Sequence, residues 1–94
     1  MYDQYEITII IPTFNEEVNI ARMIEAVNST LSLNKIHGEI LIVDDESRDK
    51  TIKIVEELML KYNNLRIIVR HADHGLSQSV VEGFRQANSN AFLV

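Results

Sequence analysis

The sequence contains no cysteine, one proline and three glycines in its 94 residues. Without cysteine the chain can form neither disulfides nor thiolate metal sites, which is typical of proteins from a reducing compartment. The low proline and glycine contents argue against a flexible linker or a low-complexity segment. We therefore expect a single domain, at most, in the cytoplasm.

Long apolar runs and an excess of positive charge are also missing. No run approaches the roughly 18 apolar residues that a membrane-spanning helix needs, and residues 1–6 lack the basic start and apolar stretch of a signal peptide. The formal net charge is −5, and Lys and Arg are scattered along the chain, so the basic surface of a nucleic-acid-binding protein is absent. What remains, 46% apolar and 24% charged residues, is typical of a globular protein.

Short apolar runs alternate with longer amphipathic segments. The short runs are rich in Ile and Val, as buried strands of a parallel sheet are; they cover residues 7–11, 40–43, 65–69 and 91–94. Between them apolar residues recur at the spacing of one helix face, over residues 20–31, 52–62 and 76–87. The order β-α-β-α-β-α-β predicts an α/β protein with a parallel sheet and right-handed crossovers.

Polar side chains follow three of these predicted strands, in the segments 12–17, 44–47 and 70–75. Ligands of open α/β sheets bind beyond the carboxyl ends of the strands, so we expect these segments to meet at one edge. In ILIVDDESRD the adjacent acids Asp44 and Asp45 repel each other. A turn or capping role would explain them, but their place at this edge favours a binding function.

The kind of ligand follows partly from motifs that are absent. Neither G-x-G-x-x-G nor a P-loop occurs, so backbone amides are not arranged to hold a phosphate. The predicted edge is acidic, so a phosphorylated ligand there would need a divalent cation, which oxygen ligands suit. Carboxylates pair with sugar hydroxyls, and the ring of Phe14 could lie against a base. His71 and His74 lack a third ligand, and we predict no metal site from them. The hypothesis is a nucleotide-like ligand with a metal.

Three ordered motifs carry a resemblance over residues 6–94. The stretches IIIPTFNEEVNI, EILIVDDESRDKT and HGLSQSVVEGFRQA resemble the amino-terminal half of family 2 glycosyltransferases with the GT-A fold, most of all the dolichol- or polyprenyl-phosphate mannosyltransferase type. The resemblance implies a Rossmann-like sheet in the strand order 3-2-1-4. It also implies that residues 1–94 form a single truncated half-domain that binds the nucleotide sugar.

The resemblance also implies site residues. Phe14 stands where the family motif P-T-Y-N-E has Tyr, and Glu46 stands where many members have Gly. No catalytic residue and no metal ligand is expected within the chain. The positions implied to bind the nucleotide sugar are Pro12, Phe14, Glu16, Val43, Asp44 and Asp45.

The implied activity is transfer of a sugar from a nucleoside diphosphate sugar, with GDP-mannose as a candidate, to a polyprenyl or dolichyl phosphate or a glycan. The resemblance places an acidic motif that holds Mg²⁺ or Mn²⁺ just beyond Val94, together with the acceptor-binding half. The fragment alone is therefore expected to be inactive, and the parent protein to work in the cytoplasm, at the cytoplasmic face of a membrane if it is anchored there.

Two alternatives stay open at this stage. LIVDDE also resembles the acidic strand of a response-regulator receiver, which binds Mg²⁺ beside a phosphorylated Asp, although here a complete strand and helix precede the acids. A non-catalytic nucleotide-binding module is the other alternative. In either case an open sheet edge is able to pair with another chain, so we expect self-association.

Overall fold

The computed structural model describes residues 5–71 and, beyond them, residues 81, 83, 85, 87, 92 and 93. Its elements are β1 (Ile7–Thr13), α1 (Ile20–Leu33), β2 (Gly38–Asp44), α2 (Thr51–Met59), β3 (Leu65–Val69) and β4 (Phe92–Leu93). Most of the predicted third helix lies outside the described residues, although residues 81, 83 and 85 are helical. No helix in the described part of the chain combines the length and apolarity needed to cross a bilayer.

The strands form one parallel sheet in the order β3-β2-β1-β4. This confirms the predicted α/β class and strand order, and it differs from the order 2-1-3-4-5 of receiver domains. In the register of the sheet, Thr13 lies opposite Asp44, and Asp44 lies opposite Val69. The carboxyl ends of β1, β2 and β3 are therefore level, and their loops leave from the same edge.

Element boundaries differ from the predicted ones by a few residues. β2 begins at Gly38, two residues earlier than its apolar run, because Glu39 also lies within the strand. α2 ends at Met59, three residues before residue 62, the last position of the apolar spacing that predicted it. Tyr62 nevertheless packs against the core from the turn after the helix. This packing explains why Tyr62 fits the apolar spacing of α2 although it lies outside the helix.

The core lies on both faces of the sheet. α1 and α2 cover one face, where Ile20 and Ile24 pack with Ile40, Ile42 and other buried residues. The opposite face holds a second cluster built on Ile10, Leu41 and Val43. All seven residues of β2 are buried, as expected for a central parallel strand. Each fully buried Ile contributes about 1.5–3 kcal/mol relative to an exposed one.

A charged side chain lies in the middle of this sheet. Glu39 is only 1% exposed, and it accepts a hydrogen bond of 2.8 Å from Oγ1 of Thr8, its partner in register. Arg66 of β3 places Nε 3.3 Å from the same carboxylate. A buried charge is tolerated when it is paired and hydrogen-bonded, and here both partners come from neighbouring strands.

Gly83 shows what covers the second face. It is buried, and a Cβ atom added to it would lie 2.6 Å from Cγ2 of Ile10. The helical segment at residue 83 therefore packs directly on β1, across the sheet from α1 and α2. This close contact explains a glycine at a helical position, where it costs about 0.5–1 kcal/mol relative to alanine.

Replacing Gly83 with alanine should lower the free energy of unfolding by about 1–3 kcal/mol, the usual effect of overpacking. Ile10 is fully buried and β-branched, so it cannot turn away easily. Urea unfolding followed by circular dichroism measures the change. Val81→Ala is the control, because Val81 is helical but 49% exposed. Wild-type stability of Gly83→Ala would contradict the contact.

Candidate functional site

Two loops meet at the carboxyl edge of the sheet: residues 14–19 after β1 and residues 45–50 after β2. The backbone N–H of Asp45 donates to the carbonyl of Thr13 at 3.0 Å, and that of Arg70 donates to the carbonyl of Asp44 at 2.8 Å. These bonds continue the sheet ladder past the strand ends. The predicted segments 12–17 and 44–47 therefore converge with Arg70 and His71, the start of the third segment; residues 72–75 lie outside the described residues.

The Asp44 carboxylate joins the two loops from beneath. It has no exposed surface, and its Oδ1 accepts hydrogen bonds of 2.6 Å from Oγ1 of Thr13 and from Oγ of Ser47. Its Oδ2 accepts one of 2.7 Å from the backbone N–H of Ser47. Three donors thus supply the hydrogen bonds that a buried carboxylate requires.

Ser47 and Asn15 connect the loops a second time. The backbone N–H of Asn15 donates to Oγ of Ser47 at 2.8 Å. In return, Oδ1 of Asn15 accepts a hydrogen bond of 2.9 Å from the backbone N–H of Arg48. In each loop, a side chain therefore accepts a hydrogen bond from a backbone N–H of the other loop. Asn15 takes part in both bonds, so they hold its backbone and its side chain in place.

A third connection lies at the start of α2. The backbone N–H of Glu16 donates to Oγ1 of Thr51 at 2.7 Å, and that of Glu17 donates to Oδ2 of Asp49 at 3.1 Å. Asp49 also accepts the hydroxyl and backbone N–H of Thr51 at 2.5 and 2.9 Å. Desolvation raises the pKa of Asp49, but these hydrogen bonds outweigh it, so the pKa lies below its ordinary value of 3.8.

Two loop residues adopt the left-handed backbone conformation. Asn15 has φ 52° and Glu46 has φ 58°. Asn enters this region readily, whereas a residue such as Glu loses about 1–2 kcal/mol there. This conformation explains why glycine would suit position 46. The Glu46 carboxylate, at Oε2, lies 2.9 Å from Nδ1 of His71, which links this loop to the end of β3.

A cavity of about 350 Å³ opens between the loops, lined by Phe14, Asp45, Glu46 and Arg48. Phe14 is 57% exposed. Nη1 of Arg70 lies 3.4 Å from Oδ1 of Asp45. The cavity therefore offers the aromatic face of Phe14, the carboxylate of Asp45, which can accept hydrogen bonds from N–H or O–H groups, and the guanidinium of Arg48.

The structure brings only some of the predicted residues to this cavity. Phe14 and Asp45 line it, and Pro12 and Glu16 are half-buried on either side of Phe14. Val43 and Asp44 have no exposed surface, so contact of either side chain with a ligand would require the loops to open. The assignment of all six residues to nucleotide binding stays a prediction.

Sequence reasoning missed the residues that hold the loops together. A serine such as Ser47 is a common first residue of a helix, and nothing local indicates more for it; Asn15 and Thr51 stood out only as members of the quoted motifs. The available signal was local: Asn, Ser, Asp and Thr side chains bond nearby backbone groups in turns. That signal does not indicate that the partner lies more than 30 residues away.

The described residues do not form a metal centre. No group of three or more His, Asp or Glu side chains among residues 5–71 and the few described beyond them could hold an ion, and Asp45 and Glu46 lie against Arg70 and His71. These acids therefore do not fit a divalent cation by themselves. The resemblance implies metal ligands beyond Val94, which stays a prediction, and His74 lies outside the described residues.

Solved structures with this fold identify its class. The crystal structure of Staphylococcus aureus TarS residues 1–349 matches with a TM-score of 0.74 and 25% identity, over 94% of this chain and 26% of that one. A mannosyltransferase from Pyrobaculum calidifontis, solved with GDP-Man and Mn²⁺, matches with a TM-score of 0.77 and 21% identity, over 90% and 25%. The fold is that of GT-A glycosyltransferases.

The chain belongs to glycosyl transferase family 2, whose family model matches residues 8–94. It is 39% identical over 90 residues to a dolichol-phosphate mannosyltransferase of Mycosarcoma maydis, covering 92% of this chain and 31% of that protein. It is 35% identical over 89 residues to the enzyme of the same name from Pyrococcus furiosus, covering 95% and 24%. The resemblance is confirmed, and the chain spans less than a third of these relatives.

The left-handed conformation of Glu46 predicts that glycine is more stable than alanine at this position, the reverse of the usual order. Glu46→Gly should be about 1 kcal/mol more stable than Glu46→Ala, because only glycine adopts this backbone without strain. Both variants lose the contact with His71, so that contact cancels in the comparison. Thermal unfolding measures the difference. The usual order, with alanine more stable than glycine, would contradict the conformation.

The lowered pKa of Asp49 predicts a pH dependence. The group binds its proton more weakly when folded, so its stabilising effect is complete well above 3.8, its value when unfolded, and is lost as the pH falls through the lower folded pKa. The stability advantage of the wild type over Asp49→Asn should be constant from pH 7 to about 5 and shrink below about 4. Urea unfolding at each pH measures it.

Glu56→Gln, at an exposed position of α2, controls for the loss of one carboxylate. If the difference in free energy of unfolding between the wild type and Asp49→Asn stays the same down to pH 3, the role of Asp49 in joining the loops is contradicted.

Proposed function

We propose that this chain is the nucleotide-binding part of a glycosyltransferase that moves a sugar from a nucleoside diphosphate sugar to a polyprenyl or dolichyl phosphate, or to a glycan. Its membership of glycosyl transferase family 2 establishes sugar transfer as the family's activity. The observation that carries the finer proposal is the cavity in which Phe14 and Asp45, from two separate motifs, face the same space.

The topology of the sheet supports a ligand at this place. α1 and α2 lie on one face of the sheet, and the helical segment at Gly83 lies on the other, against Ile10 of β1. The helices that follow β1 and β2 therefore cover one face of the sheet, and the helical segment that precedes β4 covers the other. β1 and β4 are neighbouring strands. Ligands of open α/β sheets bind at such a switch point, and Phe14 directly follows β1.

The side chains at the cavity match the parts of a nucleoside. The exposed ring of Phe14 offers a flat apolar surface on which a base can stack. The Asp45 carboxylate can accept hydrogen bonds from base N–H groups or ribose hydroxyls, and Arg70 holds it in place from the neighbouring strand end. Arg48 supplies positive charge to an otherwise acidic edge, where an anionic diphosphate would meet repulsion. Pro12, in β1, and Glu16, in the loop, lie on either side of Phe14 in the chain.

The relatives suggest the donor and the acceptor. Two are named dolichol-phosphate mannosyltransferases, and a protein of the same fold was solved with GDP-Man and Mn²⁺. GDP-mannose and dolichyl or polyprenyl phosphate are therefore the substrates we propose, with the reaction at the cytoplasmic face of a membrane. Because the chain spans 31% or less of these two relatives, we propose that the metal ligands and acceptor site belong to a longer protein and that this chain alone is inactive.

Adding GDP or UDP with Mg²⁺ to the 94-residue chain should shift the backbone amide resonances of residues 13–16 and 43–46. Phe14→Ala should weaken the binding about tenfold, since a stacked ring contributes up to about 1.5 kcal/mol beyond its buried area. NMR titration gives both the affinity and the residues that respond.

Val18→Ala is the matched control, because Val18 is 85% exposed on the same loop and does not line the cavity. Its affinity should equal that of the wild type. A chain that responds to acetyl phosphate but to neither nucleotide would contradict the proposal and favour a receiver-like function.

A further inference from the structure

We infer that Asp44 is a positioning residue, which sets the placement of Phe14 relative to Asp45 through the hydroxyl of Ser47 and does not itself touch the ligand. The inference rests on the proposed function, because it concerns how the nucleotide cavity keeps its shape. It differs from the role that the sequence motif implies for Asp44, which is direct contact with the nucleotide.

Burial separates Asp44 from its neighbour in the motif. Asp44 has no exposed surface, and both of its oxygens already accept hydrogen bonds from Thr13 or Ser47. The Asp45 side chain is 14% exposed and lines the cavity. Two adjacent carboxylates therefore have different surroundings: one faces the protein interior and the other faces the site.

The direction of the hydrogen bonds follows from the charge of Asp44. An ionised carboxylate only accepts, so the single hydroxyl proton of Ser47 is directed to Oδ1 of Asp44. The lone pairs of the Ser47 Oγ atom are then free to accept from the backbone N–H of Asn15, at 2.8 Å. Asp44 thereby orients the hydroxyl oxygen of Ser47 as an acceptor toward Asn15, the residue that follows Phe14 and lies 32 positions before Ser47.

The backbone of both loops needs such support. Asn15 and Glu46, the residues that follow Phe14 and Asp45, have φ angles of 52° and 58°. Sparsely populated conformations persist where the surrounding structure determines them strongly. The two hydrogen bonds between Asn15 and the second loop fix its conformation. The cavity is thus formed before the ligand arrives, which reduces the ordering that binding requires.

Ser47→Ala tests the inference, with Ser47→Thr as the conservative variant that keeps the hydroxyl. The dissociation constant for GDP and the hydrogen exchange of the Asn15 amide are measured on the 94-residue chain, at a temperature where circular dichroism shows every variant to be folded. Ser47→Ala should bind about three- to tenfold more weakly, the effect of one lost hydrogen bond, and its Asn15 amide should exchange faster. Ser47→Thr should restore the affinity.

Ser29→Ala, at an exposed position of α1, is the matched control and should bind as the wild type does. If Ser47→Ala fails to fold, Asn15→Gly takes its place, because it keeps the left-handed backbone and removes only the side-chain bond to Arg48. It should also bind GDP about three- to tenfold more weakly.

The outcomes separate the two proposals. If the wild type binds neither GDP nor UDP, the proposed function fails, and the inference fails with it. If the wild type binds and the folded Ser47→Ala variant binds equally well despite faster exchange at Asn15, the positioning role is overturned while the proposed function stands.

Discussion

The buried carboxylate of Asp44 is the interaction on which this edge of the sheet depends. It lies at the last position of the most buried strand, β2, opposite Thr13 in the register of the sheet. Removing its charge from water is tolerated only because Thr13 and Ser47 donate to it. Thr13 directly precedes the first loop and Ser47 lies within the second, so the requirement to satisfy one buried acid also brings two distant segments together.

The sheet and the loops place the site in complementary ways. The parallel register makes the ends of β1, β2 and β3 level, which decides that the loops meet. The change of side between β1 and β4 leaves space beside Phe14. The hydrogen bonds around Ser47 and Thr51 then hold the loops at a fixed separation. The fold gives the location of the cavity, and the polar contacts give its shape.

The apolar spacing of the sequence predicted both described helices and the edge at which the polar segments meet, whereas the strand order came from the resemblance to a known family. Strand and helix periods depend on local apolar spacing, which a single sequence displays directly. It did not predict that Asp44 would be fully buried and Asp45 partly exposed, because the two are identical in type and adjacent. Their difference in burial arises from the strand register, which places Asp44 opposite Thr13. The pairing of Glu39 with Thr8 was missed for the same reason.

The reciprocal bonds between Asn15 and the second loop bear on how such proteins can change their ligand preference. Asn15 accepts from Arg48 and donates to Ser47, so either loop transplanted alone from a relative would arrive without its counterpart. Exchange of both loops as a unit would preserve the match. In this fold, selection for a new base or sugar would therefore act on paired segments, and variation after β1 would be accompanied by variation after β2.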